Sequence, residues 1–326
     1  MSLAEEIKQK AIELGFDLVG ISDASALDNK QFELFTDWLA FGYAGRMNYM
    51  RKNLDKRTNP AKLLKNAQSV ICVGLNYTPP CLPSLRASQR DARQSHLHHR
   101  PAPMGRVANY ALYEDYHPFI KNQLRELTKF ITSIAGEDSK FKLCVDSAPV
   151  AERALAARAG LGFIGKNHML INPTLGPQMF LGEIITNLKL QTDELISDSC
   201  SNCNKCIEAC PTGALKADGQ FDANKCISYL TIEYRGQIPD NLAEKICDRL
   251  FGCDECVLAC PHKKNAPVCK NKLFSFYPDR ARLNLHEILD LSNDSFEAKF
   301  TDSPIKRLPL LCLKRNAQIC LANIVR

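Results

Sequence analysis

The sequence predicts an α+β protein in three parts: an α/β-like unit over residues 1–190, a small cysteine-rich unit over 191–262, and a helical tail over 263–326. Three observations carry this division. Through the first 190 residues the apolar pattern alternates between the helical and the extended repeat. From Ser197 to about Cys260, Cys, Asn, Gly and Pro replace regular patterning. Amphipathic helical patterns then return, as over Leu308 to Ile324. The chain has 326 residues, 45% hydrophobic and 24% charged, the balance of an ordinary globular protein with room for two or three cores. No apolar run approaches the ~18 residues of a membrane helix, and no partner membrane is expected.

The elements follow in order. Leu3, Ile7, Ile12 and Leu14 suit a helix that Ser2 caps and Gly15 ends. Its early acids and missing apolar core exclude a secretory signal, so a cytoplasmic chain is expected. A short strand follows Gly15, and Ser69–Asn76 reads as a buried strand. The 79–104 stretch, with its prolines, arginines and His96, His98 and His99, reads as a long loop with surface histidines. A helix is expected from Tyr116, and a strand over Lys142–Asp146 that ends in a carboxylate. Ala151–Ala159 reads as a helix ended by Gly160, and Leu181–Asn187 as a strand. By position alone Asp146 is at least as good a helix cap as a catalytic acid.

Fifteen cysteines in a chain without an export signal point to metal or cluster binding rather than disulfides. Cys200, Cys203, Cys206 and Cys210-Pro211 match the bacterial ferredoxin run, and Cys253, Cys256 and Cys260-Pro261 repeat it in shortened form. In two-cluster ferredoxins the fourth cysteine of each run serves the other cluster. One [4Fe–4S] cluster would thus take Cys200, Cys203, Cys206 and Cys260. The second would take Cys210, Cys226, Cys253 and Cys256. Zinc is the rival, but a structural zinc site has no use for a third cysteine at the same spacing. Cys72, Cys81, Cys144, Cys247, Cys269, Cys312 and Cys320 lack any partner spacing and read as small buried or spare thiols. Charge is uneven: residues 261–326 carry twelve Lys or Arg against six Asp or Glu, while the first 260 residues balance. That asymmetry points to a polyanionic partner for the tail.

Taken together, several motifs identify the chain as resembling the epoxyqueuosine reductases, cobalamin- and iron–sulfur-dependent enzymes of queuosine biosynthesis in tRNA. They are Lys56-Arg57-x-x-Pro60, Asp115-Tyr116-His117, Val145 to Arg153, Gly160 to Asn167, Phe180 to Ile184, the eight cysteines, Cys226 to Glu233, Ser303 to Arg307 and Lys314 to Ala317. The resemblance implies a cobalamin between a 1–190 catalytic domain and a ferredoxin-like 191–262 domain, the clusters feeding its cobalt. It also implies reduction of epoxyqueuosine in tRNA to queuosine with loss of water. The partners would be that tRNA and a low-potential electron donor, and the enzyme a monomer. Asp146 matches the family's proton donor, and desolvation beside a corrin would raise its pKa and keep it protonated. Cobalamin contacts are expected from Arg57, Asp146, Lys166, Asn167, Ser228, Asp254 and Glu255, and tRNA contacts from Lys306, Arg307, Lys314 and Arg315.

Asp115-x-His117 begins like a cobalt-ligating histidine signature, but Ile120 stands where glycine belongs. His117 is therefore expected to be structural, with no side chain on cobalt. Many family members run past this C-terminus into tRNA-contacting repeats, and part of that surface is expected to be absent. Two rival readings are a cobalamin- and iron–sulfur-dependent reductive dehalogenase and a cluster-bearing electron carrier. The first typically has an export signal and a tyrosine in place of Asp146, and the second needs no large catalytic unit.

Overall fold

A computed structural model of the chain describes residues 2–80 and 102–325. His96, His98, His99, Cys81 and most of the 79–104 stretch lie outside the described residues. Among the described residues no helix is long and apolar enough to cross a membrane.

The Leu3–Glu13 helix starts on a reciprocal capping box between Ser2 and Glu5 and ends before Gly15, which takes φ 95°. The chain then enters β1 (Leu18–Asp23), β2 (Ser69–Asn76), β3 (Met104–Val107), β4 (Phe141–Cys144), β5 (Phe163–Ile164), β6 (Leu170–Ile171), β7 (Met179–Thr186), β8 (Arg249–Phe251) and β9 (Arg282–Asn284). The main sheet has the order β1-β2-β7-β4 and is antiparallel at every pairing. Alternating helices and strands ordinarily predict a parallel sheet. Here the strands pair antiparallel, so the unit is α+β, not doubly wound. β2 is buried along its whole length, as its β-branched run predicts.

One face of the sheet packs on the Leu3–Glu13 and Tyr116–Ala135 helices through Ile7, Ile71, Ile120, Leu124 and Ile184. The other packs on the Glu152–Arg158 helix through Cys72, Cys144, Leu155, Ala156 and Ile185. A second sheet, β8-β3-β9, ties residues 104–107 to the cysteine-rich unit and to the tail. The Leu310–Val325 helix packs against β8, and Asn316, wholly buried, donates to the Thr231 and Leu250 carbonyls. The core is shared by all three sequence-defined parts, because Ile227, Phe251, Ile288 and Leu313 belong to the same cluster as Ile7 and Leu124.

Candidate active site

Asp146 sits two residues beyond β4, at φ 52°, a left-handed conformation that Asp tolerates better than most side chains. The Glu152–Arg158 helix is capped at Ala151 without any side-chain bond, so Asp146 is not its cap. The carboxylate joins a chain of hydrogen bonds instead. His117 Nε2 lies 2.9 Å from Asp146 Oδ2, and His117 Nδ1 lies 2.6 Å from Asp115 Oδ1. Asp115 also caps the Tyr116–Ala135 helix and accepts from Arg307 Nε at 3.3 Å. The Tyr116 hydroxyl donates to Asp146, and its ring stacks on His117 at 4.0 Å and on Phe180 at 4.2 Å.

The electrostatics of the chain's own groups run against a raised Asp146. Burial acts to raise the Asp146 carboxyl, but the hydrogen bond and charge of His117, with Tyr116 and Arg307, outweigh it and hold the group below the usual carboxylate range. Burial likewise lowers His117, yet its two carboxylate partners carry it above the usual imidazole value. These shifts favour a charged Asp146 paired with a protonated His117. His117, expected to be structural, has both ring nitrogens committed to carboxylates, one of them the expected acid. Its signal lay in the Asp115-Tyr116-His117 motif, but sequence could not show that the helix N-terminus faces the end of β4.

Around Asp146 stand Tyr49, Arg57, Tyr110 and Glu233. Burial pushes Tyr49 up to about 12, and Glu233 and Asp146 add to that rise. Arg57 is lowered by burial, faces Tyr49, Glu152 and Asp146, and has an Nε without a hydrogen-bond partner among the described residues. Asp254 accepts the Asn109 N–H at 2.6 Å and is raised to about 6, by burial first. It also acts on the phenol of Tyr110, which links the cysteine-rich unit to the Asp146 surroundings. Guanidinium, phenol and carboxyl groups along this edge suit the amide fringe of a corrin.

Other expected contacts are engaged elsewhere. Lys166 Nζ donates to Ser201 O at 3.0 Å and Asn204 Oδ1 at 2.9 Å, and its amide reaches Cys200 Sγ at 3.4 Å. Asn167 Nδ2 reaches Cys256 O at 3.4 Å. Both residues brace the cysteine loops. Glu255 pairs with Arg249 at 2.5 Å and with Arg106 at 3.4 Å, a structural clamp between the second cysteine motif and β3. The Ser228 amide donates to Cys226.

The cysteines separate into two groups. Cys200, Cys203, Cys206 and Cys260 line a cavity of about 50 Å³ with Asn167 and His262. Burial first, and then the charges of the neighbouring Cys226, Cys253 and Cys210, push the Cys256 thiol up. Cys206 and Cys260 respond instead to Cys200 and Cys203. Backbone amides of Leu215, Thr212 and Ala214 donate to Cys210, and those of His262 and Lys263 to Cys260, dipoles that favour thiolate. Among the described residues no three His, Cys, Asp or Glu converge tightly enough to hold a single metal ion. Four thiols around a volume suit a cubane.

In the tail, Lys306 pairs with Glu297 at 2.7 Å. Arg315 donates to the carbonyls of Leu230, Tyr234 and Gly236 at 2.6–2.8 Å. Its guanidinium, expected to meet phosphate, is engaged at the end of the Ile227–Ile232 helix. Arg307 alone of the four reaches the site. With Lys56, Lys121, Lys142 and His117 it lines an open cleft of about 600 Å³ that also borders Val145 and Ser147.

Residues 57–147 match the family described as epoxyqueuosine reductase QueG, DUF1730, and residues 199–263 match the 4Fe-4S double cluster binding domain. The epoxyqueuosine reductase of Vibrio cholerae is 35% identical over 98% of this chain and 83% of its own length. An epoxyqueuosine reductase crystallised with an epoxyqueuosine-modified tRNA-Tyr stem loop superposes with a TM-score of 0.88, at 32% identity over 98% of this chain and 81% of that one. The Bacillus subtilis enzyme, in a form whose aspartate-bearing catalytic loop is swung out of the active site, gives 0.84 at 31% identity over 98% and 81%. With the double-cluster domain in place and the relationship running along nearly its whole length, the chain belongs to the epoxyqueuosine reductase family.

Proposed function

We propose that this protein reduces epoxyqueuosine in tRNA to queuosine, using cobalamin and two [4Fe–4S] clusters. Family membership supports this over the dehalogenase and electron-carrier readings, and the observation that carries the mechanism is the Asp115–His117–Asp146 array. Removal of the epoxide oxygen as water with formation of the alkene takes two electrons and two protons. When bound, the clusters and the corrin supply the electrons. The protons fall to the chain's own residues. Asp146 presents its carboxyl at the cleft and is refilled from His117, whose imidazolium Asp115 holds in orientation. Tyr116 and Phe180 floor the site and exclude water from its inner side.

Cys200, Cys203, Cys206 and Cys260 would hold one cluster, and Cys210, Cys226, Cys253 and Cys256 the other. Arg57, Tyr110 and Asp254 would meet the corrin edge. For tRNA, the cleft of Lys56, Lys121, Lys142 and Arg307 is the better phosphate surface, since four cations line it beside the acid and no carboxylate does. Anaerobic incubation of cluster- and cobalamin-loaded protein with epoxyqueuosine tRNA and a low-potential reductant should yield queuosine. Fully loaded protein that leaves the epoxide intact would refute this function.

A further inference from the structure

One carboxyl outside this array touches the backbone of the acid itself. Glu152 opens the Glu152–Arg158 helix, and its Oε1 accepts the Asp146 N–H. The contact falls where support is needed, because Asp146 holds φ 52° and such a backbone persists only when its surroundings over-determine it. The neighbouring Ser147 N–H closes a tight turn on Val145 O at 2.5 Å. The turn is thus tied through its backbone to Glu152 and through its side chain to His117 and Tyr116.

Burial and the charge of Asp146 make a charge on Glu152 costly, outweighing the cations that face it. Asp146 faces it from the loop, Tyr116 and His117 from the Tyr116–Ala135 helix, Arg57 from the Leu54–Thr58 helix, and Arg153 from its own helix. Below lie Cys72 of β2, Cys144 of β4 and Glu183 of β7. Glu183 is the direct cross-strand partner of both cysteines. It is wholly buried, with neither carboxyl oxygen hydrogen-bonded among the described residues. Burial therefore raises Glu183 well above the carboxylate range, and it stays neutral. The sheet beneath Glu152 offers two thiols and a neutral acid, and its cation, Lys142 of β4, acts on the Cys144 thiol.

We infer that Glu152 is a positioning residue for Asp146: as a neutral acid it holds the left-handed Asp146 turn docked, and on losing its proton it sets a second negative charge against Asp146 and releases the 145–151 loop. This rests on Asp146 being the acid of the proposed reaction. The sign follows from linkage. Burial first, then the charge of Asp146, places docked Glu152 at about 7 against an ordinary 4.5. The docked loop thus binds more proton than the released loop, and rising pH favours release.

Amide hydrogen exchange of residues 145–151 tests this in cluster-loaded, cobalamin-free protein. In the wild type, protection corrected for intrinsic rates should fall above pH ~7, by at most tenfold per pH unit for one proton. Glu152→Gln keeps an acceptor for the Asp146 N–H without the charge. Its loop should stay protected through that range, losing protection only later, as His117 itself deprotonates. Glu152→Ala should lose protection at every pH, with kcat lowered about tenfold or more and KM for tRNA little changed. A Glu152→Gln profile that superposes on the wild type, or full protection in Glu152→Ala, would overturn the inference. The acid reading fails separately: undiminished turnover by Asp146→Asn would remove it whatever the exchange shows.

Discussion

Asp146 and His117 are the pair on which the chemistry turns, and their environments divide the proton between them. Asp146→Asn should keep both clusters and cobalamin but lose ~10²-fold or more in kcat, the scale of general acid catalysis. Visible spectra of the loaded variant alongside single-turnover rates would show it. His117→Gln should slow the refilling of Asp146, so the variant loses kcat while KM for tRNA holds. The ion pairs also shape stability with pH. His117 is raised above 6.5, so its contribution is complete below 6.5 and is lost as pH rises through the folded value. Asp115 and Asp146 are lowered below 3.8, so theirs is present above 3.8 and is lost as pH falls through their folded values. Thermal unfolding should therefore show a difference between wild type and His117→Gln that is largest between pH ~4 and 6.5 and shrinks on either side. A difference independent of pH would contradict the charge assignment.

The short Lys205–Glu208 and Glu255–Leu258 helices carry the middle of each cysteine motif and pack on each other. Cys260 ends the second motif yet lines the cavity of the first. That crossing can be read by counting iron. A Cys200→Ser/Cys203→Ser variant should drop from about eight irons to about four. Adding Cys260→Ser should remove no more, because the cluster it serves is already gone. A further fall toward zero would assign Cys260 to the other cluster. At the level of the tail helix, Arg315→Gln gives up charge-assisted bonds to three carbonyls, each bond to a charged group being worth roughly 1.5–3 kcal/mol. It should lower Tm by several degrees and leave the salt dependence of tRNA binding unchanged.

Across the whole molecule, the net charge of +6 divides between cations committed to structure and cations that line the open cleft. Each phosphate contact contributes about one unit to the slope of log K against log salt. Lys56→Gln/Lys142→Gln should weaken tRNA binding and flatten that slope by roughly one to two units, with the cluster spectrum unchanged. An equal slope in variant and wild type would move the tRNA surface away from the cleft.

Local signals were enough for the parts whose chemistry is local. The cysteine spacings, the caps at Ser2 and Gly15, the buried run of β2 and the helix from Tyr116 are each set by residues a few positions apart, so they were legible from the chain alone. The antiparallel order of the main sheet was not, because alternation of elements says nothing about which strand edges meet. The protonation of Asp146 likewise escaped the sequence. It depends on His117, 29 positions earlier, on Tyr116 beside it, and on Arg307, far along the chain. The basic tail shows the same limit: Arg315 and Arg307 are equivalent in a charge count, yet folding buries one guanidinium against three carbonyls and turns the other toward the acid. Spacing along the chain determined which groups could bind a cluster, and only tertiary packing, by setting burial and neighbouring charge, decided which groups hold a proton and which remain free for a phosphate.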